Sequence, residues 1–279
     1  MRMELNWFES LIFGFVSGIC EFLPVSAQAH ETLVLQFFGV PESALLRMIV
    51  HAAAWEALYL HLLPRIDALN QERDLLKLPQ RRRSREPDMQ KILDLRFVRT
   101  AMIPLILGFL AAPFLGRLRN ELSICAMFLF MNGILLYLPG RIVRGNKAAR
   151  AMSRFDAVLI GLFGALGVLP GISRIGALNT GAAARGADQE HALDWSLLLC
   201  VPALMTAVGV DAYELLSVGV GSFDFIMFLS IALAAVTAFI GAKIGISVMR
   251  FLAVRAGFTG FAYYCWGAAL FIFILYLTI

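Results

Sequence analysis

Residues 21–30 read EFLPVSAQAH and residues 164–174 read GALGVLPGISR. Each stretch sets a proline and several polar side chains inside an otherwise apolar run. Laying GICEFLPVS (18–26) over GALGVLPGIS (164–173), with one residue inserted after the proline, aligns Gly18, Leu23 and Pro24 with Gly164, Leu169 and Pro170 at a constant offset of 146. Proline removes a backbone donor and biases the residue before it towards extended backbone. Each run is therefore expected to break near its middle, giving two short arms.

The surroundings say where those arms lie. Of 279 residues, 59% are hydrophobic and 16% charged, and the mean hydropathy is +0.76. Soluble domains carry about 25% charged residues, so the composition points to a membrane protein. Segments 43–60, 100–116, 122–139, 194–210, 225–242 and 259–279 each approach the ~20 residues that cross ~30 Å of hydrocarbon. The first apolar run follows Met-Arg-Met-Glu and lacks a small-residue cleavage pattern, so no cleavable signal peptide is read.

Loop charge gives the orientation. The linker 61–99 holds ten Lys or Arg against six acids, and GRIVRGNKAARAMSR (140–154) holds five and no acid. Both are assigned to the cytoplasm by the positive-inside rule. DAYELLSVGVGSFD (211–224) has no basic residue and is assigned outside, while Lys243, Arg250 and Arg255 bring the chain back in. The charges balance only if 8–36 and 156–187 are re-entrant hairpins. Non-helical backbone at membrane depth survives only against protein or a wet cavity, so the hairpins should wall a polar site.

The expected fold is all-α and polytopic: one integral-membrane domain over 1–279, with six transmembrane helices and two re-entrant hairpins. Three spans follow each hairpin, an odd number, so the halves 1–140 (with cytoplasmic loop 61–99) and 155–279 should be inverted repeats with a site at their interface.

Other chemistries find no support. Cys20, Cys125, Cys200 and Cys265 lie apart without a C-x-x-C pair, which argues against a disulfide framework or zinc. The formal charge of +4 sits in loops and implies no nucleic acid. GxxxxGK[ST] and GxGxxG are absent, so nucleotide use is unsupported.

The polar residues of the two breaks are the candidate site. An unpaired Glu21 in an apolar hairpin would cost several kcal/mol, and Arg174 beside the matching break is its natural partner. Gly171, Ser173 and Arg174 form a candidate anion cradle, with freed backbone N–H groups, a hydroxyl and a guanidinium fork. His30 follows Ser26 by one helical turn, the spacing of a base–hydroxyl pair. His51 lies in a predicted span, where it packs or hydrogen-bonds, and His61 and His191 fall at span edges. No metal-binding spacing is present, although Glu21 could help hold a divalent cation (Mg2+ or Ca2+) against a diphosphate.

Together E-F-L-P-V-S…H (21–30) and L-P-G-I-S-R (169–174) resemble the bacterial undecaprenyl-diphosphatase family, known also for bacitracin resistance. DWSLLLCVPAL (194–204) and FIGAKIGISVMRFLAVRAGFTGFAYYCWGAAL (239–270) extend the resemblance over nearly the whole chain. It implies a hydrolase of the bacterial cytoplasmic membrane. Such an enzyme removes the terminal phosphate of a C55 isoprenyl diphosphate and recycles the monophosphate carrier for cell-wall synthesis, through a site open to the outer side. By this resemblance the first motif's glutamate, serine and histidine fall on Glu21, Ser26 and His30, and the second motif's serine and arginine on Ser173 and Arg174.

The chain departs from the family pattern at four polar positions. Ser17 stands where the family has an acid or glutamine, Ala27 replaces a second serine, and Ile175 and Leu178 replace a serine and a threonine. Ser17, Gln28 and Asn179 are candidates for compensation. In the expected mechanism Arg174, Ser173, Gly171 and Ser26 bind phosphate, Glu21 orients a cation or water, and His30 is general base or acid. Ser26 is either nucleophile or phosphate donor. The expected partners are the isoprenyl diphosphate lipid and the bilayer, with a homodimer open. The alternative is a non-hydrolysing isoprenyl-phosphate transporter or binding protein on the same fold.

Overall fold

In the computed structural model, residues 5–115, 118, 121–141, 145–219, 225–255 and 257–278 are described. The described residues form ten α-helices and short 3-10 turns, with no β-strand among them. The helices are α1 (Trp7–Phe22), α2 (Ala27–Phe38), α3 (Ala44–Lys77), α4 (Met89–Leu110) and α5 (Leu122–Tyr137), then α6 (Arg154–Ala165), α7 (Arg174–Ala184), α8 (Gln189–Val218), α9 (Phe225–Arg255) and α10 (Thr259–Thr278).

Three helical segments, Gln189–Ser217, Phe225–Leu252 and Thr259–Thr278, are long and apolar enough to cross a membrane, and Leu122–Tyr137 is a shorter apolar helix. This is an all-helical membrane protein. Residues 211–218, read from sequence as part of an outside loop, continue α8 to Val218. Helical hydrogen bonding carries the acidic DAYELL segment onward, and Asp211 is buried. Residues 220–224 of that loop and 142–144 of the basic loop lie outside the described residues.

At 1.5 Å per residue, α1 is about 24 Å long, α2 and α6 about 18 Å, and α7 about 16 Å, all short of the ~30 Å hydrocarbon core. The two pairs of short helices are each followed by three further helices, and packing repeats in exchanged form. Helix α1 packs on α9 as α6 packs on α4; α3 packs on α9 as α8 packs on α4; α3 meets α8, and α5 meets α10.

Small residues make these contacts possible. Lipid tails are as apolar as leucine, so helices in a bilayer associate through close backbone packing rather than apolar burial alone. Gly14 and Gly18 of α1 lie against the Ala234 and Ala238 carbonyls of α9, while Gly241 and Gly245 of α9 lie against Phe15 and Ile19 of α1. Gly161 of α6 meets the Ala101 carbonyl of α4 in the corresponding place.

A Cβ added at Gly18 would collide with backbone atoms of Ala238, which have little room to yield. Gly18→Val is therefore expected to destabilise by about 1–3 kcal/mol or more, as overpacking does. Thermal unfolding in detergent should show a lowered midpoint. Gly267→Ala, where an added Cβ meets nothing within 4 Å, should leave it in place. Equal midpoints for the two variants would refute the close packing.

Candidate active site

Both proline breaks are built alike. Leu23 (φ −88°, ψ 150°) and Leu169 (φ −75°, ψ 133°) are extended ahead of Pro24 and Pro170, as a following proline demands. Each chain then restarts a helix on a serine cap. Ser26 Oγ accepts the Ala29 N–H at 3.4 Å, and Ser173 Oγ accepts the Gly176 N–H at 3.2 Å. Ser26 has φ 66°, the only positive φ outside glycine among the described residues. A serine held there costs on the order of 1–3 kcal/mol, a strain imposed where the chain must turn into α2.

The two tips are stitched together. Ser173 Oγ donates to the Leu23 carbonyl at 3.2 Å. Asn132 of α5 donates from Nδ2 to the Pro24 carbonyl at 2.9 Å, and its Oδ1 accepts the Ser173 N–H at 3.0 Å. One amide thus satisfies a carbonyl freed by the first break and an amide freed by the second.

Beside the stitched tips lies a cavity whose lining includes Glu21, Ser26, Gln28, Ser173 and Arg174. Glu21 and Arg174, 153 positions apart in sequence, form a buried ion pair with Oε1 and Nη1 2.8 Å apart. The guanidinium also lies 4.5 Å from the centroid of the Phe109 ring, a cation–π contact. Yet Arg174 Nε and Nη1 are buried and donate no hydrogen bond. The first residues of α2 and α7 face this same cavity, so two helix N-termini present their partial positive charge to it.

The other wall carries charges that sequence reading did not assign to the site. Arg47 and His51, one turn apart on α3, meet Asp211 of α8. Arg47 Nε donates to Asp211 Oδ1 at 2.6 Å, Nη1 to Glu42 at 2.5 Å and Nη2 to Glu214 at 2.5 Å. His51 Nδ1 is 2.7 Å from Asp211 Oδ2. Glu31 of α2 also lines the cavity, and its Oε1 is buried without a hydrogen-bond partner. The i,i+4 spacing of Arg47 and His51 in an apolar span was the available signal; Asp211 was masked by its reading as loop.

The sequence candidates therefore divide. Glu21, Ser26, Gln28, Ser173 and Arg174 line one cavity; His30, Ser17, Gly171 and Asn179 are not part of its lining. His30, expected as the proton-transfer partner of Ser26, has Nδ1 2.7 Å from the Ser26 carbonyl oxygen and Nε2 2.7 Å from the Tyr264 hydroxyl. The imidazole reaches back along α2 to the carbonyl of its own cap residue rather than to that residue's hydroxyl. Gly171 (φ 106°) packs against the α5 backbone, where a Cβ would lie 2.6 Å from the Cys125 carbonyl oxygen. The Asn179 amide donates to the Ile175 carbonyl at 2.9 Å, and Ser17 is buried with its hydroxyl unbonded.

A helical membrane fold with a charged cavity beside two proline-broken helix pairs defines the class. The chain belongs to the bacitracin resistance protein BacA family, whose model matches residues 10–271. It is 28% identical to the undecaprenyl-diphosphatase of Alkaliphilus metalliredigens over 94% of this chain and 96% of that protein. It is 29% identical to the undecaprenyl-diphosphatase of Carboxydothermus hydrogenoformans over 94% of both. Undecaprenyl-diphosphatase 3 of Bacillus cereus is 28% identical over 98% of this chain and 99% of its own length.

Replacing Asn132 with leucine keeps the branched outline but puts two methyl groups in place of the amide that bridges the tips. The Ser173 N–H is then buried unpaired, at about 1–3 kcal/mol, and the Pro24 carbonyl keeps only the weak Cys265 thiol contact at 3.7 Å. Asn132→Leu should lower the thermal midpoint in detergent more than Asn179→Leu, which removes a bond within one helix; the reverse order would refute the bridge.

Proposed function

We propose that this protein hydrolyses undecaprenyl diphosphate to undecaprenyl phosphate and inorganic phosphate, returning the lipid carrier to peptidoglycan synthesis. One observation carries the reading: the Arg174 guanidinium and the N-termini of α2 and α7 line a single cavity. That is a seat for a multiply charged phosphate group. The shared name of the relatives favours hydrolysis over the transporter alternative.

In this reading Arg174 and the α2 and α7 backbone N–H groups hold the terminal phosphate, and Glu21 fixes the guanidinium. Ser173 acts through its backbone: its hydroxyl already caps α7 and donates to Leu23. Ser26 donates its hydroxyl proton to the phosphate. No base stands at that hydroxyl among the described residues, which favours direct attack by water over a covalent serine intermediate. His30 holds the strained Ser26 turn through the carbonyl bond.

Among the described residues no group of three or more His, Cys, Asp or Glu is placed to hold a metal ion. Glu21 and Glu31, whose Oε1 has no hydrogen-bond partner, nonetheless share the cavity lining. One or two carboxylates plus substrate phosphates is the usual donor set for Mg2+. Glu21 and Glu31 would hold a divalent cation arriving with the diphosphate, and it would supply neutralisation of phosphate charge.

The proposed topology is six spans and two re-entrant hairpins in the bacterial cytoplasmic membrane, with residues 1–140 and 155–279 as inverted repeats and the cavity open outward. The exchanged packing of α1–α9 and α6–α4 and the short hairpin arms support it. Cysteines introduced at 70–95 should label only from the cytoplasmic side and those at 213–219 only from outside. Labelling of 70–95 from outside would overturn the orientation.

Detergent-purified protein should release inorganic phosphate from C55 isoprenyl diphosphate, and a chelator should suppress the release. Arg174→Lys should lower kcat by about 10²–10³-fold, the usual loss when one donor to a developing charge goes, because a point charge does not reproduce the fork. Tight lipid binding without phosphate release across a divalent-cation screen would instead support the transporter.

A further inference from the structure

We infer that His51, oriented by Asp211, is the residue that accepts the proton of the attacking water at this site; the assignment rests on the hydrolase reading above. Direct attack needs a base at the cavity wall. His30 does not line the cavity and both its nitrogens are engaged, one by the Ser26 carbonyl and one by Tyr264. His51 does line it.

The geometry of His51 is that of an oriented imidazole. Nδ1 lies 2.7 Å from Asp211 Oδ2, and the other carboxylate oxygen of Asp211 is held by Arg47 Nε at 2.6 Å. Asp211 is 1% exposed and Arg47 4% at their side chains, so the acceptor is fixed in place. An ionised carboxylate at Nδ1 takes that nitrogen's hydrogen and leaves the lone pair on Nε2. Nε2 has no hydrogen-bond partner among the described residues, and 10% of the His51 side chain remains accessible. His51 is faced by Asp211 of α8, Glu21 of α1 and Glu31 of α2. Arg47 on its own helix and Arg174 of α7 share the cavity wall.

The step balances without an added reactant. The water oxygen forms a bond to the terminal phosphorus, and one water proton moves to Nε2. The bridging P–O bond breaks with its electron pair going to the lipid monophosphate. The imidazolium, stabilised by Asp211, then returns its proton to a departing phosphate or to solvent. Asp211 is a positioning residue, because it acts only through the ring.

The test measures phosphate release from C55 isoprenyl diphosphate against pH for wild type, His51→Gln, His51→Ala, Asp211→Asn and His30→Phe. Size-exclusion profiles and thermal midpoints report folding. A base must be neutral to act, so the wild-type kcat should fall on the acid side. His51→Gln and His51→Ala should lower kcat about 10²–10⁴-fold, change KM far less and abolish the acid limb. Asp211→Asn should lower kcat and displace that limb, and added imidazole should partly restore His51→Ala. Folded His51→Gln with wild-type kcat and an intact limb, against loss of the limb in His30→Phe, would overturn the assignment and leave the hydrolase reading standing. A wild type that releases no phosphate under any divalent cation would overturn both, and it would do so before any variant is compared.

Discussion

Everything at the centre of this fold is arranged around a buried ion pair that is not self-sufficient. Taking a carboxylate and a guanidinium out of water costs several kcal/mol per ion, and Glu21 and Arg174 recover part of that through a 2.8 Å contact. The Phe109 ring recovers a little more. Two guanidinium nitrogens remain without hydrogen bonds, so the protein tolerates an expensive group in an incompletely satisfied state. The rest of the core keeps it there. Asn132 and Ser173 tie the hairpin tips together, and backbone-close glycine contacts hold α1 on α9 and α6 on α4. If either tip drifted, an unpaired charge would be left in an apolar interior.

Much of this arrangement was legible in the chain because its causes are local. A proline extends the residue before it, a serine three positions ahead of a backbone N–H caps a helix, and runs of arginine stay out of hydrocarbon. Those rules locate both breaks and put Glu21 opposite Arg174. What they could not supply depends on helix rotation. Arg47 and His51 read as polar residues in a span until α3 is turned towards α8, which brings Asp211 to them across 160 and more positions. Tyr264 removes His30 from the cavity in the same way, from 234 positions away. Sequence spacing shows that His30 shares a face with Ser26; it does not show that another helix claims that face.

The polar positions lost relative to the family pattern fall in two different surroundings. Ile175 and Leu178 are fully buried in the main apolar core, and Leu178 packs on Gly164 of α6. Their apolar side chains close the α6–α7 interface without a polar partner to satisfy. Ala27, by contrast, lines the cavity beside Ser26, Gln28 and Glu31. Ile175 and Leu178 leave the α7 interior apolar, while Gln28, Glu31, Arg47, His51 and Asp211 of α2, α3 and α8 line the cavity. The site is asymmetric: α7 supplies the Arg174 guanidinium, and α3 and α8 supply Arg47, His51 and Asp211.

That asymmetry sets a charge requirement. The cavity lining carries three carboxylates, Glu21, Glu31 and Asp211, against two guanidiniums, Arg47 and Arg174, so with His51 neutral its formal charge is −1. An isoprenyl diphosphate brings up to three further negative charges into a low-dielectric interior, where repulsion is weakly screened. Helix N-termini offset about half a charge each, which is too little. Protonating His51 would offset only one charge and would remove the proton acceptor. A divalent cation entering with the diphosphate would offset two of those charges and leave the imidazole free. Glu21 and Glu31, both in the cavity lining, are the carboxylates that would meet such a cation.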